Sequence, residues 1–540
     1  MREVKRTELN PSSRGERSTT ELSQREKWQS FTTMTAEDLA TRPEQAEQSL
    51  TSRAIWLIVG KSVAFVLSIA LPLLLVRRLS QSDFGLYRQI FLFVSTAMIF
   101  LPVGFQMSAY YFFAREPAQR HAQIVFNIVI FFLLISGLAC LLINVQPHSL
   151  SRIFNNPEMM RYAPLISLVV LTWVLSLFLD HIVLARQETR LATVLIVILQ
   201  LSKTTLLLTA VLLFDSIRAL LVAAIVQGLV QTTMLLVYLR TRFGNFWRSF
   251  GWSMMRRQLV YAAPLGVASI LLQMQTTLDN YFVSNLYGAD SYAIYAVGCF
   301  QLPLVIIITE AIGLTTLPRV TQLQAQGKTR EVLELFFNVV RKQSLIYLPL
   351  YLFLLLVGKD FIILLFTERY AASWPIFAVN LTLIPLAIVA SATDPVMRAY
   401  SEHRYFLLRI RAVLVVLLIV GLWFATRRFG LIGAISVMAG VNVMEAMLIA
   451  AKVANILGVR TSDLSRLKDV GKIALAAAGT CCLTGIALLI MPKLPPLGVV
   501  VFCGVLFLFI YPSLAFMLGI ITSEEYQSLR NLVRRENPIW

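Results

Sequence analysis

From residue 53 onward the chain alternates long apolar runs with short polar breaks. About fourteen runs can be read, near residues 54–76, 89–112, 122–144, 162–183, 191–214, 217–239, 259–285, 292–317, 343–357, 373–397, 406–425, 430–455, 471–491 and 496–520. A bilayer crossing takes about 20 mostly apolar residues in a helix, because hydrocarbon offers the backbone no hydrogen-bond partner. The pattern therefore predicts an all-α integral membrane protein. Six crossings return the chain to its starting side, so residues 53–242 read as one six-helix lobe, 243–258 as a linker and 259–458 as a second lobe. The two lobes would be parallel repeats about an axis along the membrane normal. Residues 459–521 read as a two-helix appendage, and residues 1–52 and 522–540 as polar tails. The first tail has the composition of a disordered segment and lacks the apolar core of a secretory signal.

The stretch from Leu259 to Arg319 carries most of the polar groups found at membrane depth. On the seventh run, helical spacing groups Gln273, Thr276, Thr277 and Asn280 on one face, with Gln275 and Asp279 flanking it. A polar arc of that width suits a cavity better than a helix contact. An intramembrane carboxylate costs about 2.5 to 3.5 kcal/mol on insertion scales, so Asp279 is expected to face a partner or a water-filled space. The start of the chain has a similar design: Phe84 to Tyr87 align on Tyr292 to Tyr295, and Gly104 falls one residue out of step with Gly313. This is the mark of an internal repeat, and repeat interfaces are where secondary transporters place their sites.

Composition agrees with the pattern. Apolar residues make up 57% of the 540 and charged residues 14%, with a mean hydropathy of +0.70. The formal charge of +18 is carried by loops, with clusters at Arg240 to Arg257, Arg319 to Lys342, Arg398 to Arg411 and Lys452 to Lys472. Basic loops stay in the cytoplasm, which places both termini there. No nucleic-acid motif accompanies these residues, so contact with anionic lipid headgroups is the expected use of the charge.

Other charges sit inside or beside the apolar runs. Lys203 lies near the middle of the fifth run, too deep to reach water easily, and is expected to face the bundle interior beside Gln200, Ser202 or a carboxylate. Lys61 either snorkels to the interface or faces a cavity. Glu310 lies about two turns from the inner end of the eighth run, and the segment Gln322 to Lys342 has room for a short helix along the membrane surface. Asp180, His181 and Arg186 read as anchoring or local pairing, Asp394 and Pro395 as a kink, and Asn442 and Glu445 as helix-packing hydrogen bonds. Arg77 and Arg78 sit at an outward end, against the positive-inside bias.

Enzyme chemistry finds little support. Gly60-Lys61-Ser62 and Gly327-Lys328-Thr329 resemble the end of a P-loop, but the glycine required five positions earlier is Ile55 in one case and Gln322 in the other. Cys140, Cys299, Cys481, Cys482 and Cys503 all lie in apolar runs without a CxxC pair, and the four histidines are scattered, so neither a metal nor a catalytic residue is expected. Short outward loops leave no room for an external catalytic domain.

LVRRLSQSDFGLY after the first run, Gly104, APLGVASILLQMQTTLDNYFVSNLYGADSYAIY, LPRVTQLQAQGKTREV and LLFTERYAASWPIFAV together resemble the polysaccharide-biosynthesis flippases. That family shares a superfamily with the MATE exporters and the lipid II flippase, and the resemblance covers about residues 50 to 520. It implies a V-shaped bundle with helices one, two, seven and eight facing a central cavity. It also implies a bacterial inner-membrane protein that moves undecaprenyl-pyrophosphate-linked oligosaccharide to the outer leaflet for O-antigen, capsule or exopolysaccharide assembly. Alternating access would drive the step, and membrane lipids and polysaccharide assembly proteins would be its partners. In that setting Lys61 and Lys203 would meet the phosphates, and Gln273, Thr276, Thr277 and Asn280 the sugar hydroxyls. Asp279 and Glu310 would balance the lysines or carry a coupling H+ or Na+, with no other cofactor. Alternatives are a cation-coupled MATE-type drug exporter, a lipid II flippase and, less favoured, a polysaccharide polymerase or ligase.

Overall fold

In the computed structural model, residues 60–520 are described, apart from 61–62, 65–66, 401, 403 and 492–493. Lys61, Lys493 and both polar tails lie outside the described residues. The described chain is helical throughout, without a strand. A first helix, α1, is described over residues 67–78. It is followed by α2 (Gln81–Phe100), α3 (Ser108–Phe113) and α4 (His121–Val145). Two short helices, His148–Phe154 and Glu158–Arg161, then lead to α5 (Ala163–Ser176), α6 (Phe178–Ala185), α7 (Thr189–Phe214) and α8 (Ile217–Phe243). The second half comprises α9 (Trp252–Gly298), α10 (Pro303–Ala325), α11 (Thr329–Phe366), α12 (Trp374–Asn380), α13 (Leu383–Ala399) and α14 (Arg404–Leu457). The chain ends with α15 (Lys468–Ile490) and α16 (Pro496–Met517).

Eleven helical segments are long and apolar enough to cross a membrane, or twelve if α2 and α3, bent by 45°, are one span. One of the eleven, α14, is double, and α9 turns back into a short second arm, residues 289–298. At 47 and 54 residues, α9 and α14 would each reach about 70 to 80 Å if straight, more than twice a hydrocarbon core. Each is broken by a glycine with positive φ, Gly288 at 72° and Gly430 at 64°. A side chain in that region meets its own carbonyl, so glycine is the residue that lets the helix reverse there. The sequence reading of about fourteen runs divides α14 at this break and adds α1.

Helix starts follow local chemistry. Ser80 caps α2 by accepting from the Asp83 backbone N–H at 3.1 Å, and Asp83 lies in the first turn, against the positive end of the helix dipole. Ser216 caps α8 in the same way. The ninth apolar run is short because α11 outruns it. Residues 329–342 are the first turns of α11 rather than a separate surface helix, and Val332, Leu333 and Phe337 pack there against Val320, Val396 and Val453.

The largest core runs through both halves, from Leu75 and Ile90 through Val170 and Leu220 to Tyr347 and Phe377. Between the halves, α2 and α3 lie along α9. Gly85 meets Ala289 so closely that a Cβ would overlap the Ala289 carbonyl, and Gly266 meets Val103 in the same way near the other end. The seam therefore brings the stretch Phe84 to Tyr87 against the reversal at Gly288, just before Tyr292 to Tyr295. The proposed match of Gly104 with Gly313 does not extend to structure. Gly104 sits at the α2/α3 bend with φ of 69°, whereas Gly313 is an ordinary residue inside α10.

Candidate functional site: a cavity between the two halves

A cavity of about 750 Å³ lies between the halves. Helical spacing supplies its walls. From α2 come Arg88, Leu92, Ser95 and Met98, each three or four residues after the last. The first arm of α9 gives Thr276, Thr277, Asp279 and Asn280, and the second arm, beyond Gly288, gives Tyr292, Ala296 and Cys299. Ser68 and Pro72 on α1, Trp173 on α5, Asp180 on α6, Lys203 on α7 and Gln227 and Gln231 on α8 also line it from the first half's side.

The charges are arranged unevenly. Arg88 and Lys203 line the cavity without forming an ion pair among the described residues. Lys203 places its Nζ 4.2 Å from the centre of the Trp173 ring, whose face holds a cation without neutralising it. The Trp173 indole N–H donates to the Ala224 carbonyl at 2.9 Å, which fixes the ring beneath the lysine. Asp279 is 2% exposed and accepts hydrogen bonds from the Tyr295 hydroxyl at 2.7 Å and the Asn280 amide at 3.1 Å. Tyr292 in turn donates to Asn280 at 3.3 Å. Asp180 has one carboxylate oxygen, Oδ1, buried without a hydrogen-bond partner among the described residues.

The seam beside the cavity is bonded along its length. At the end where Gly288 lies, Gln89 donates to Ser284 at 2.7 Å, Gln81 to the Asp290 carbonyl at 3.1 Å and Asn285 to the Arg152 carbonyl at 2.9 Å. Arg77 reaches the Leu364 carbonyl at 3.0 Å and Arg369 the Leu79 carbonyl at 3.1 Å, so Arg77 ties the halves together. At the other end Gln258 donates to Ser108 at 3.1 Å and accepts from Asn127 at 3.1 Å.

Of the residues singled out in the sequence, the structure brings Lys203, Thr276, Thr277, Asn280 and Asp279 to the cavity. Gln273 is not among its lining residues, and its carbonyl accepts from Thr276 and Thr277 at 3.1 and 2.7 Å. Glu310 lies on an exposed part of α10, also away from the lining. Gln275, one turn before Asp279 on the same side of α9, is not among the lining residues; it is 1% exposed and donates to Glu445, which also pairs with Arg411 at 3.0 Å. Asn442 bonds the Met438 carbonyl of its own helix, and Asp394 pairs locally with Arg398 at 2.8 Å.

Two lining charges escape a reading by apolar runs. Arg88 precedes the second run at 89–112, yet Ser80 starts α2 eight residues earlier, so Arg88 is two turns inside the helix. Its signal was the cap, not the hydropathy. Asp180 read as an anchor near a helix end but lines the cavity: α5 and α6 continue as one span through Leu177, and Asp180 follows Trp173, Ser176 and Leu177 along its lining side. Arg186 does pair locally, with Glu188 at 3.1 Å.

Comparison with known proteins agrees with this architecture. The lipid II flippase MurJ, in an inward closed conformation, superposes with a TM-score of 0.68 at 11% identity, covering 86% of this chain and 99% of that one. The Vibrio cholerae MATE transporter VcmN, in its bent form, gives 0.53 at 14% identity over 78% and 99%. A Pyrococcus furiosus MOP superfamily transporter, described as having a binding pocket of reverse polarity, gives 0.56 at 12% over 75% and 95%. At such identities the likeness is one of fold. No curated protein sequence matches the chain significantly. The model of the family described as polysaccharide biosynthesis protein matches residues 50–324, just over half of the chain. This match, together with the fold, makes the chain a member of the polysaccharide biosynthesis protein family.

Proposed function

We propose that this protein is a flippase that moves a lipid-pyrophosphate-linked oligosaccharide between leaflets, from the inner to the outer, for cell-surface polysaccharide assembly. The observation that carries the reading is the pair of cations, Arg88 and Lys203, facing one cavity between the halves with no ion-pair partner among the described residues. A pyrophosphate cannot cross hydrocarbon unaided and needs charge-assisted donors in a polar space. Arg88 offers a planar fork and Lys203 a point charge held on the Trp173 face. Thr276, Thr277 and Asn280 on α9 supply hydroxyl and amide groups for sugars. Family membership supports a saccharide cargo. Rocking of the halves about the α2/α9 seam would expose the cavity to each side in turn. Asp279 and Asp180 would take up a coupling H+ or Na+.

Those carboxylates also favour a second reading, a cation-coupled exporter of cationic drugs, since both line the same cavity. One experiment separates the two. In proteoliposomes, leaflet-resolved labelling follows a prenyl-pyrophosphate-linked oligosaccharide while a fluorescent cationic drug is followed in parallel, for the parent and for Arg88→Gln and Lys203→Ala. Glycolipid movement that the variants lose supports the flippase, and drug movement alone overturns it.

A further inference from the structure

A second cavity, of about 860 Å³, lies at the end of the seam away from Gly288, where α3 ends and α9 begins. Tyr111, Phe112, Arg115 and Glu116 come from the first half, and Arg256, Arg257 and Tyr261 from the second. The rings of Tyr111 and Tyr261 stack across the seam with centroids 4.2 Å apart. Arg115 lies over the Tyr111 ring, its Cζ 4.2 Å from the centre, and also donates to the Tyr111 hydroxyl. Glu116, 11% exposed, pairs with Arg257 at 2.8 Å and Arg120 at 2.9 Å. Neither Arg115 nor Arg256 has a carboxylate partner among the described residues. Three arginines and one carboxylate leave the cavity cationic.

Its position says what it meets. Both spans end here, and the exposed aromatic residues Trp247, Phe250 and Trp252 are neighbours in sequence. Such residues settle at the headgroup level of a bilayer. We propose that this cavity binds the phosphate of an anionic lipid headgroup, and that occupancy holds the two halves together at this end. Arg115 and Arg256, one from each half, would grip the phosphate as paired forks. The stacked tyrosines form the floor between them. Glu116 limits the affinity by engaging Arg257 and by its own charge. This site is separate from the cavity proposed for the cargo.

The test uses purified full-length protein in detergent, titrated with phosphatidylglycerol or phosphatidylcholine and read by native mass spectrometry, with inorganic pyrophosphate as a soluble probe. Phosphatidylglycerol is expected to be retained over phosphatidylcholine, and Arg115→Gln/Arg256→Gln to weaken it about tenfold. Glu116→Gln is expected to strengthen it about threefold, a change that misfolding does not produce. Binding of phosphatidylglycerol alone assigns the site to a lipid headgroup, and equal binding of pyrophosphate assigns it to the phosphate group itself. Equal retention of both lipids, or unchanged phosphatidylglycerol binding in the double variant, overturns the proposal.

Discussion

Tyr295 donates its hydroxyl to Asp279, sixteen residues earlier on the other arm of α9, across a 2.7 Å hydrogen bond. The bond exists only because the helix reverses at Gly288. The break thus brings a buried carboxylate, an amide and two tyrosines together, with Asp279, Asn280 and Tyr292 lining the cavity and Tyr295 behind them.

Removing that donor tests the wall directly. Tyr295→Phe leaves a carboxylate oxygen of Asp279 short of a partner, which costs about 1 to 3 kcal/mol, and it is expected to lower the melting temperature in detergent. Asp279→Asn keeps an acceptor for Tyr295 and is expected to retain the melting temperature while cutting transport at least about tenfold, equivalent to about 1.4 kcal/mol. Equal transport by Asp279→Asn and the parent would remove Asp279 from the coupling role.

The cations facing the cavity give a second prediction. Lys203→Arg keeps a charge over Trp173 and is expected to hold most of the transport rate. Lys203→Gln and Arg88→Gln are each expected to lose about tenfold in glycolipid movement, or about 1.4 kcal/mol. Uptake kinetics in proteoliposomes at matched protein content would show it. A rate unchanged in Lys203→Gln would return that lysine to a packing role.

Close approach at the seam gives a third. A Cβ on Gly85 overlaps the Ala289 carbonyl, and backbone cannot move aside as a side-chain tip can. Gly85→Ala is expected to cost about 1 to 3 kcal/mol, seen as a lower unfolding temperature. Gly137→Ala in α4, where a Cβ would meet nothing within 4 Å, is expected to leave stability unchanged or slightly raised.

The Glu445 and Arg411 pair predicts an asymmetry. Their side chains are 13% and 26% exposed, so Glu445→Ala strands a mostly buried guanidinium and is expected to cost about 3 kcal/mol. Replacing both, as Glu445→Leu/Arg411→Met, is expected to recover much of that loss. A double-mutant cycle on unfolding temperature reads the coupling, and strict additivity would contradict it.

At the end of the seam away from Gly288, hydrogen bonds from Arg120 and then Arg257 hold the Glu116 carboxyl below its ordinary value of 4.5. A depressed folded value means that the stabilisation is fully present above 4.5 and is lost as pH falls through the lower folded value. The parent is therefore expected to lose stability below pH 4.5 more steeply than Glu116→Gln. Parallel acid profiles for the two would show that the Glu116 pairs contribute nothing.

Much of the fold was legible in the chain. Apolar runs of membrane length mark helices because an unpaired backbone amide in hydrocarbon is too costly to leave, so hydropathy alone reports them. Phe84 to Tyr87 and Tyr292 to Tyr295, which align in sequence, lie on the two helices that form the seam, α2 and α9. The intramembrane positions of Lys203 and Asp279 pointed to the cavity for the same reason, the cost of a charge at depth.

What each polar residue meets was decided by packing. Gln275 and Asp279 are one helical turn apart, yet one reaches Glu445 and the other the cavity. They share a side of α9, and what separates them is the neighbour each meets at its own level, Glu445 of α14 for Gln275 and Tyr295 of the returning arm for Asp279. Arg88 precedes the second apolar run yet lies inside α2, which Ser80 caps, and Asp180, read as an anchor, shares the lining side of its span with Trp173 and Ser176. The sequence by itself determined the membrane class and the helices, because burial in lipid depends on local composition summed over about 20 residues. The tertiary structure decided the cavity, its charges and the arginine site between α3 and α9, because each is made by side chains far apart in the chain, on helices whose rotation is set by neighbours rather than by local pattern.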